Sequence, residues 1–116
     1  MLTIGKLRVW GANVDEGLTR CMKNESFYLM LVNKMLGDPA FENLKEGVES
    51  GNLDQAFEAA HSLKGMTANL SLTPILLPVQ KITDLLRGRV AMDYSPLLQE
   101  IISQRDQLIR LSQEQN

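Results

Sequence analysis

Side chains that bind metals or form disulfides are scarce in this 116-residue chain, which has one histidine, His61, and one cysteine, Cys21. A metal centre needs several His, Cys or clustered carboxylate ligands, so we expect no bound metal. A single cysteine excludes a disulfide framework, and nothing points to secretion. We predict that Cys21 is a buried structural thiol.

Long apolar runs and an excess of basic residues are also missing. No segment approaches the roughly 18 apolar residues of a membrane span, and the first residues lack a secretory signal. The formal net charge is −2, whereas nucleic-acid surfaces need clustered Lys and Arg. The segment GANVDEG has neither the lysine nor the spacing of a phosphate-binding loop. We therefore expect a cytoplasmic protein that binds no membrane, nucleic acid or cofactor.

The composition is that of one folded domain. Hydrophobic residues make up 44% of the chain and charged residues 22%, which excludes disorder and low-complexity classes. A chain of this length can build one core but not two. We predict a single domain over residues 1–116, with a monomer as the default state.

Helical spacing of hydrophobic residues covers almost the whole chain, and no alternating run predicts a strand. Asp38 and Pro39 begin a helix that Gly51 ends, and Asn52 caps the next one. Short connections make neighbouring helices antiparallel, so we predict an all-α, up-and-down antiparallel four-helix bundle with additional N-terminal helices across one end or side. The four bundle helices are predicted at residues 39–50, 52–70, 74–88 and 96–113.

The N-terminal part and the third bundle helix are less sharply defined. A short helix is predicted from Leu2 to Val9, and Asn13 with Glu16 has the pattern of a capping box for a second helical stretch. That stretch is predicted from about residue 14 to 36, either as one continuous helix or with a break near Asn24. Proline inside a helix removes a hydrogen bond, so either Pro78 bends the first turn of a helix that begins at Pro74, or the regular helix begins at Pro78.

His61 lies in the segment AAHSLKGMTANLSL and is predicted to face solvent. At about 100° per residue, Lys64 and Gly65 fall about 60° and 40° from His61, whereas an apolar stripe lies on the opposite side. Asp54 and Glu58 share the face of His61. They are either acid/base groups or carboxylates that orient the imidazole, or they simply form a solvated acidic surface of the helix. An unperturbed imidazole has a pKa of about 6.5, so near pH 7 most of it is neutral and has a free nitrogen for nucleophilic attack.

Gly65 supports an approach site beside the imidazole. Glycine inside a helix costs about 1 kcal/mol relative to alanine, and on the solvent side the packing of the protein's own core cannot explain it. The alternatives are a kink in the helix or drift at an exposed position. Phe57 lies about 40° from His61 on the same wheel, so we predict that it belongs to an apolar docking patch, with coverage of the core's edge as the alternative.

The run AFEAAHSLKGMTANLSLTPI resembles the signature of histidine-containing phosphotransfer (HPt) domains, whose core is His-x-x-Lys-Gly. The upstream segments GANVDEGLTRCMKNESFYLMLVNKML and LKEGVESGNLDQAFEAAHSLKG are also similar to that family. By this resemblance, His61 accepts a phosphoryl group from a receiver-domain aspartate and passes it to another receiver. The resemblance makes Lys64 the phosphate-facing cation, and Gly65 leaves room for the phosphate and the docking receiver.

Two positions depart from the family pattern. Many members have a glutamine on the following helix that hydrogen-bonds near the histidine, and the corresponding residue is Thr83. Gln80, one turn earlier, is a candidate substitute and is predicted to belong to the docking site. Met66 stands where the family usually has a small residue, and its flexible thioether either takes part in docking or packs inward.

The resemblance implies a phosphoryl carrier rather than a self-sufficient enzyme. Response-regulator receiver domains are the expected partners, with a hybrid histidine kinase as a further candidate, and the receiver is expected to bring Mg²⁺. The competing hypothesis is a helical adaptor that binds a receiver or another signalling partner without relaying phosphate. A third is a piece of a longer hybrid or chemotaxis kinase, although Met1 and the polar end at Asn116 favour a free module.

Overall fold

The computed structural model describes residues 1–114, and this part of the chain is helical with short connections and no strand. The all-α prediction is confirmed. The helices of the described range are α1 (Ile4–Trp10), α2 (Val14–Arg20), α3 (Glu25–Leu36), α4 (Ala40–Ser50), α5 (Leu53–Asn69), α6 (Thr73–Arg87) and α7 (Ser95–Gln113).

Helices α4 to α7 form the predicted four-helix bundle. Each packs on the next along the chain, and α7 returns to α4, which closes the ring. One contiguous core fills the interior, because every helix contributes an apolar stripe at three- and four-residue spacing. The largest fully buried side chains include Phe41, Leu44, Leu63, Ile75, Ile82, Ile101 and Leu108.

Helix α3 packs against the side of the bundle. It contacts α7, as α4 does, and its residues Leu31 and Met35 line a groove with Met66 of α5 and with Leu70, the C-cap of that helix. At about 1.5 Å per residue, the 11 residues of α4 are too short to cover the 19 of α7. Both α1 and α3 contact α7, so these N-terminal helices lie beside the bundle.

The α4–α5 connection sets the position of the histidine helix. Gly51 ends α4 in the left-handed conformation with φ 73°, and Asn52 caps α5 by accepting a hydrogen bond from the backbone N–H of Gln55 at 3.1 Å. A Cβ on Gly47 would lie 2.6 Å from the backbone nitrogen of Ala56. The two helices approach so closely that only glycine fits there.

Three predicted helix starts and one predicted capping box need correction. Helix α1 begins at Ile4, with Thr3 as its cap, rather than at Leu2, and it extends to Trp10. Asn13 caps α2, but its own backbone N–H donates to the carbonyl of Ser71 at 3.0 Å, so Glu16 does not close a reciprocal capping box. Helix α4 begins at Ala40, one residue after Pro39. Helix α7 begins at Ser95, one residue before the predicted range, and the Ser95 N–H donates to Asp93 at 2.9 Å.

Two alternatives left open by the sequence are now decided. The break near Asn24 is real, because Met22 and Lys23 adopt positive φ angles and Asn24 caps α3. Helix α6 runs from Thr73 through Pro78, so the interpretation that starts the helix near Pro74 is correct. Cys21 is buried and unpaired, as predicted.

No helix within residues 1–114 has the length and apolarity required to cross a membrane. The assignment of residues 1–116 to one domain stays a prediction. Residues 115 and 116 lie outside the described range.

Candidate functional site

Helix α5 has one buried and one exposed face, as the helical wheel predicts. Its inward residues are Ala56, Ala60, Leu63 and Thr67, all fully buried, and the Thr67 hydroxyl donates to the Leu63 carbonyl at 2.8 Å instead of leaving a polar group unpaired. Asp54, Glu58, His61, Gly65 and Asn69 are exposed on the other side. The prediction that the imidazole faces solvent is confirmed.

The His61 ring stacks on the Phe57 ring. The ring centroids are 5.8 Å apart, and the planes differ by 18°. Residues four apart share a helix face, and this geometry is typical of attractive aromatic pairs. Within residues 1–114 no hydrogen bond or ion pair involves His61.

Helix α6 places a cation beside this pair. The guanidinium carbon of Arg87 lies 5.7 Å from the centroid of the Phe57 ring, within the range of a cation–π contact. Arg87 also forms an ion pair with Asp84 at 3.1 Å. Sequence reasoning missed Arg87, because its position depends on how α5 and α6 pack and not on a local motif.

Lys64 and Gly65 lie where the sequence places them. Lys64 is half-buried and Gly65 is exposed, one turn along α5 from His61. A Cβ on Gly65 would meet nothing within 4 Å. The protein's own packing therefore does not require glycine here, in contrast to Gly47 on α4.

The nearby carboxylates do not orient the imidazole. Asp54 pairs with Arg89, which follows α6. Glu58 is exposed, and no hydrogen bond or ion pair in the described part of the chain involves it. The interpretation of this face as a solvated acidic surface fits these positions.

Thr83 and Gln80 have different surroundings. Thr83 is fully buried, and its hydroxyl donates to the Val79 carbonyl at 2.6 Å, so it cannot replace a glutamine that reaches the histidine. Gln80 is half-buried, and no hydrogen bond within residues 1–114 links it to His61. Its predicted role in docking stays a prediction.

Met66 lines an open groove of about 330 Å³ between α3 and α5. Leu31 and Lys34 form the opposite wall, and Asn69 lies at the α5 side. The methionine side chain is half-buried. Met66, the residue after Gly65, therefore lines a surface groove and is not fully packed into the core.

Residues 1–114 hold no cluster of three or more His, Cys, Asp or Glu side chains arranged for a metal ion. What the face presents instead is one exposed imidazole whose ring nitrogens have no hydrogen-bond partner among these residues, a lysine one turn away and an open stretch of backbone at Gly65. Such a face suits the transfer of a small charged group from a partner better than binding of a small molecule.

The family model of the Hpt domain matches residues 37–114, which is well over half of the chain. The chain therefore belongs to the Hpt domain family, as the HSLKG motif and its flanks predicted. Of the two upstream segments that also looked similar to the family, the one at residues 44–65 lies within the matched range and the one at residues 11–36 precedes it. Searches of curated proteins and of solved structures found no match.

Membership in this family gives the chain a general role in phosphotransfer. Hpt domains are phosphocarrier modules of phosphorelays, and they interact with response-regulator receivers and kinases. The helical bundle described above is the fold of such a domain.

Proposed function

We propose that His61 accepts a phosphoryl group from the aspartyl phosphate of a receiver domain and passes it to an aspartate of another receiver. The observation that supports this most strongly is the exposed imidazole on α5, whose ring nitrogens make no hydrogen bond to the described residues, beside a position where a Cβ would meet only open space. A partner can therefore approach the ring without rearranging the bundle.

The proposed reaction makes one bond and breaks one. The lone pair of a neutral ring nitrogen forms the N–P bond while the P–O bond to the aspartyl oxygen breaks, and that electron pair leaves with the carboxylate. The other ring nitrogen keeps its proton during the transfer. Solvent removes that proton after the ring has been phosphorylated. The transition state is loose and its charge is spread over the equatorial oxygens, so alignment and cations provide most of the catalysis.

Each partner supplies a defined part of this reaction. Lys64 is the cation that faces the phosphoryl oxygens, and Gly65 leaves space for them and for the receiver. We expect the receiver to bring Mg²⁺ and the aspartyl phosphate, so the chain acts as a carrier and not as an independent catalyst. Phe57 and Gln80 border the docking face.

The test is transfer from a receiver charged with acetyl phosphate to the wild-type chain and to His61→Gln. We expect the wild type to gain phosphate that is labile in acid and stable in base, and H61Q to gain none while keeping its helical circular dichroism, because the side chain is exposed. Ser62→Ala is the matched control, since Ser62 is the adjacent exposed nucleophile, and should label normally.

The adaptor hypothesis predicts a different result. If the protein is a non-relaying adaptor, the wild type and H61Q will both bind the receiver, and neither will gain phosphate. Base-labile phosphate, or labelling of H61Q equal to that of the wild type, would contradict the assignment of His61.

A further inference from the structure

We propose that Phe57 is a positioning residue for the phosphoacceptor: its ring, stacked on the imidazole, holds His61 in the orientation that presents a ring nitrogen for attack. This inference rests on the proposed function, and it assigns Phe57 a role in the transfer step in addition to its place at the docking face.

The stack restrains His61 without covering its nucleophile. The final side-chain torsion of histidine is broad, and no hydrogen bond within residues 1–114 fixes it. The lone pair of the attacking nitrogen lies in the ring plane and points from the ring edge. Phe57 contacts the ring with its planes nearly parallel, 18° apart, so the contact uses the π-face and leaves the edge open to the receiver.

Phe57 is itself held in place by two helices. It sits on α5, is half-buried and packs against the core. Arg87 of α6 lies over its ring at 5.7 Å, and the Arg87 guanidinium is held in turn by Asp84. A restrained aromatic ring is a better support for the imidazole than a freely rotating one, because less order has to be gained at the moment of transfer.

A docking role and a positioning role predict different kinetics. A residue that only docks the receiver changes the receiver concentration needed for half-maximal rate. A residue that orients the nucleophile changes the rate at saturating receiver. From the usual strength of an aromatic pair we expect loss of the ring to lower that saturating rate about three- to ten-fold.

The first measurement is proton NMR of the wild type, Phe57→Leu and Phe57→Tyr. The single histidine makes the imidazole C–H resonances unambiguous. We expect upfield ring-current shifts and cross-relaxation between the two rings in the wild type and in F57Y, and the loss of both in F57L. Phe27→Leu, which removes another partly exposed aromatic ring on α3, should leave the resonances unchanged.

The second measurement is the transfer rate from a phosphorylated receiver over a range of receiver concentrations. The proposal expects F57L to have a reduced saturating rate, whatever change its half-saturation concentration shows from the loss of a docking contact, and F57Y to restore the wild-type saturating rate. If F57L does not fold, Phe57→Met deletes the ring with a side chain of similar volume.

Four outcomes separate the possibilities. Unshifted imidazole resonances in the wild type would show that the two rings do not stack. An unchanged saturating rate in F57L would show that Phe57 does not position His61. A change confined to half-saturation would make Phe57 a docking residue only. A wild-type chain that takes up no phosphate would overturn the proposed function and the positioning role together, whereas the resonances would still report whether the stack exists.

Discussion

Individual side chains around His61 have separate parts in the proposed relay. The imidazole is the nucleophile, Lys64 supplies positive charge from one turn along α5, and Phe57 contacts the ring by its face. Of these contacts, the Phe57 stack could have been found from the sequence, because the two rings are four residues apart on one helix. The approach of Arg87 could not, since it depends on the packing of α6 against α5.

Replacing Lys64 with alanine should slow phosphoryl transfer about ten-fold or shorten the lifetime of the phosphohistidine by a similar factor, because a charge-assisted contact to the phosphoryl oxygens is lost. Single-turnover transfer and decay of the labelled chain measure both quantities. Lys45→Ala, at an exposed position on α4, is the control and should behave as wild type. Equal rates and lifetimes for K64A and wild type would exclude Lys64 from the mechanism.

The helices themselves show which features local patterns determine. Spacing, caps and short connections predicted the bundle helices within a few residues, and the wheel correctly separated the buried and exposed faces of α5. The patterns did not predict that α1 and α3 pack against α7, because that packing depends on the tertiary structure and not on local sequence. The wheel placed Gly65 on the solvent side, but it gave no sign that a Cβ on Gly47 would press on the backbone of Ala56, since only the packed structure shows that approach.

The two helix glycines should respond to substitution in opposite ways. Gly65→Gln should leave the free energy of unfolding unchanged or raise it by up to about 1 kcal/mol, because helix propensity improves and the space is open. Gly47→Ala should lower it by about 1–3 kcal/mol, because its Cβ would press on the backbone of Ala56. Urea unfolding measures both changes.

Receiver binding should separate the same two substitutions. Gly65→Gln should raise the Kd for the receiver about ten-fold or more, equivalent to about 1.4 kcal/mol, because its side chain fills the approach surface. Gly47→Ala, measured well below its unfolding transition, should bind normally. Unaltered receiver binding by G65Q would make that glycine incidental to docking.

The molecule as a whole includes more than the part that matches the family. The match begins at residue 37, yet the preceding helices are tied to the bundle by long-range contacts. The Tyr28 hydroxyl donates to the Leu70 carbonyl at 2.8 Å, and the ammonium of Lys6 donates to the Leu111 carbonyl at 3.1 Å. Burial raises the pKa of Tyr28 to about 12, with a smaller contribution from Cys21.

This buried hydroxyl gives the stability of the protein a defined pH dependence. Tyr28→Phe should lower the free energy of unfolding by about 1 kcal/mol at pH 8, because a buried hydrogen bond is lost. Tyrosine in the unfolded chain ionises near pH 10, before the folded one at about 12. The free energy of unfolding of the wild type therefore exceeds that of Y28F by its full amount below about pH 10. This difference declines by up to about 1.4 kcal/mol per pH unit as the pH rises toward 12.

Urea titrations of the wild type and Y28F at several pH values between about 8 and 12 test this prediction. All other titrating groups are common to both chains, so the difference between them isolates Tyr28. The difference should shrink and then change sign at high pH. A difference that stays constant across the range would contradict the raised pKa of the buried hydroxyl.

The most direct test of the relay is to locate the phosphorus atom after transfer. A ¹H–³¹P correlation spectrum of the chain, recorded after incubation with a phosphorylated receiver, should show one phosphoramidate phosphorus coupled to the imidazole protons of His61, the one histidine in the sequence. A phosphorus signal coupled to any other side chain, or no signal from a folded chain that binds the receiver, would contradict the account.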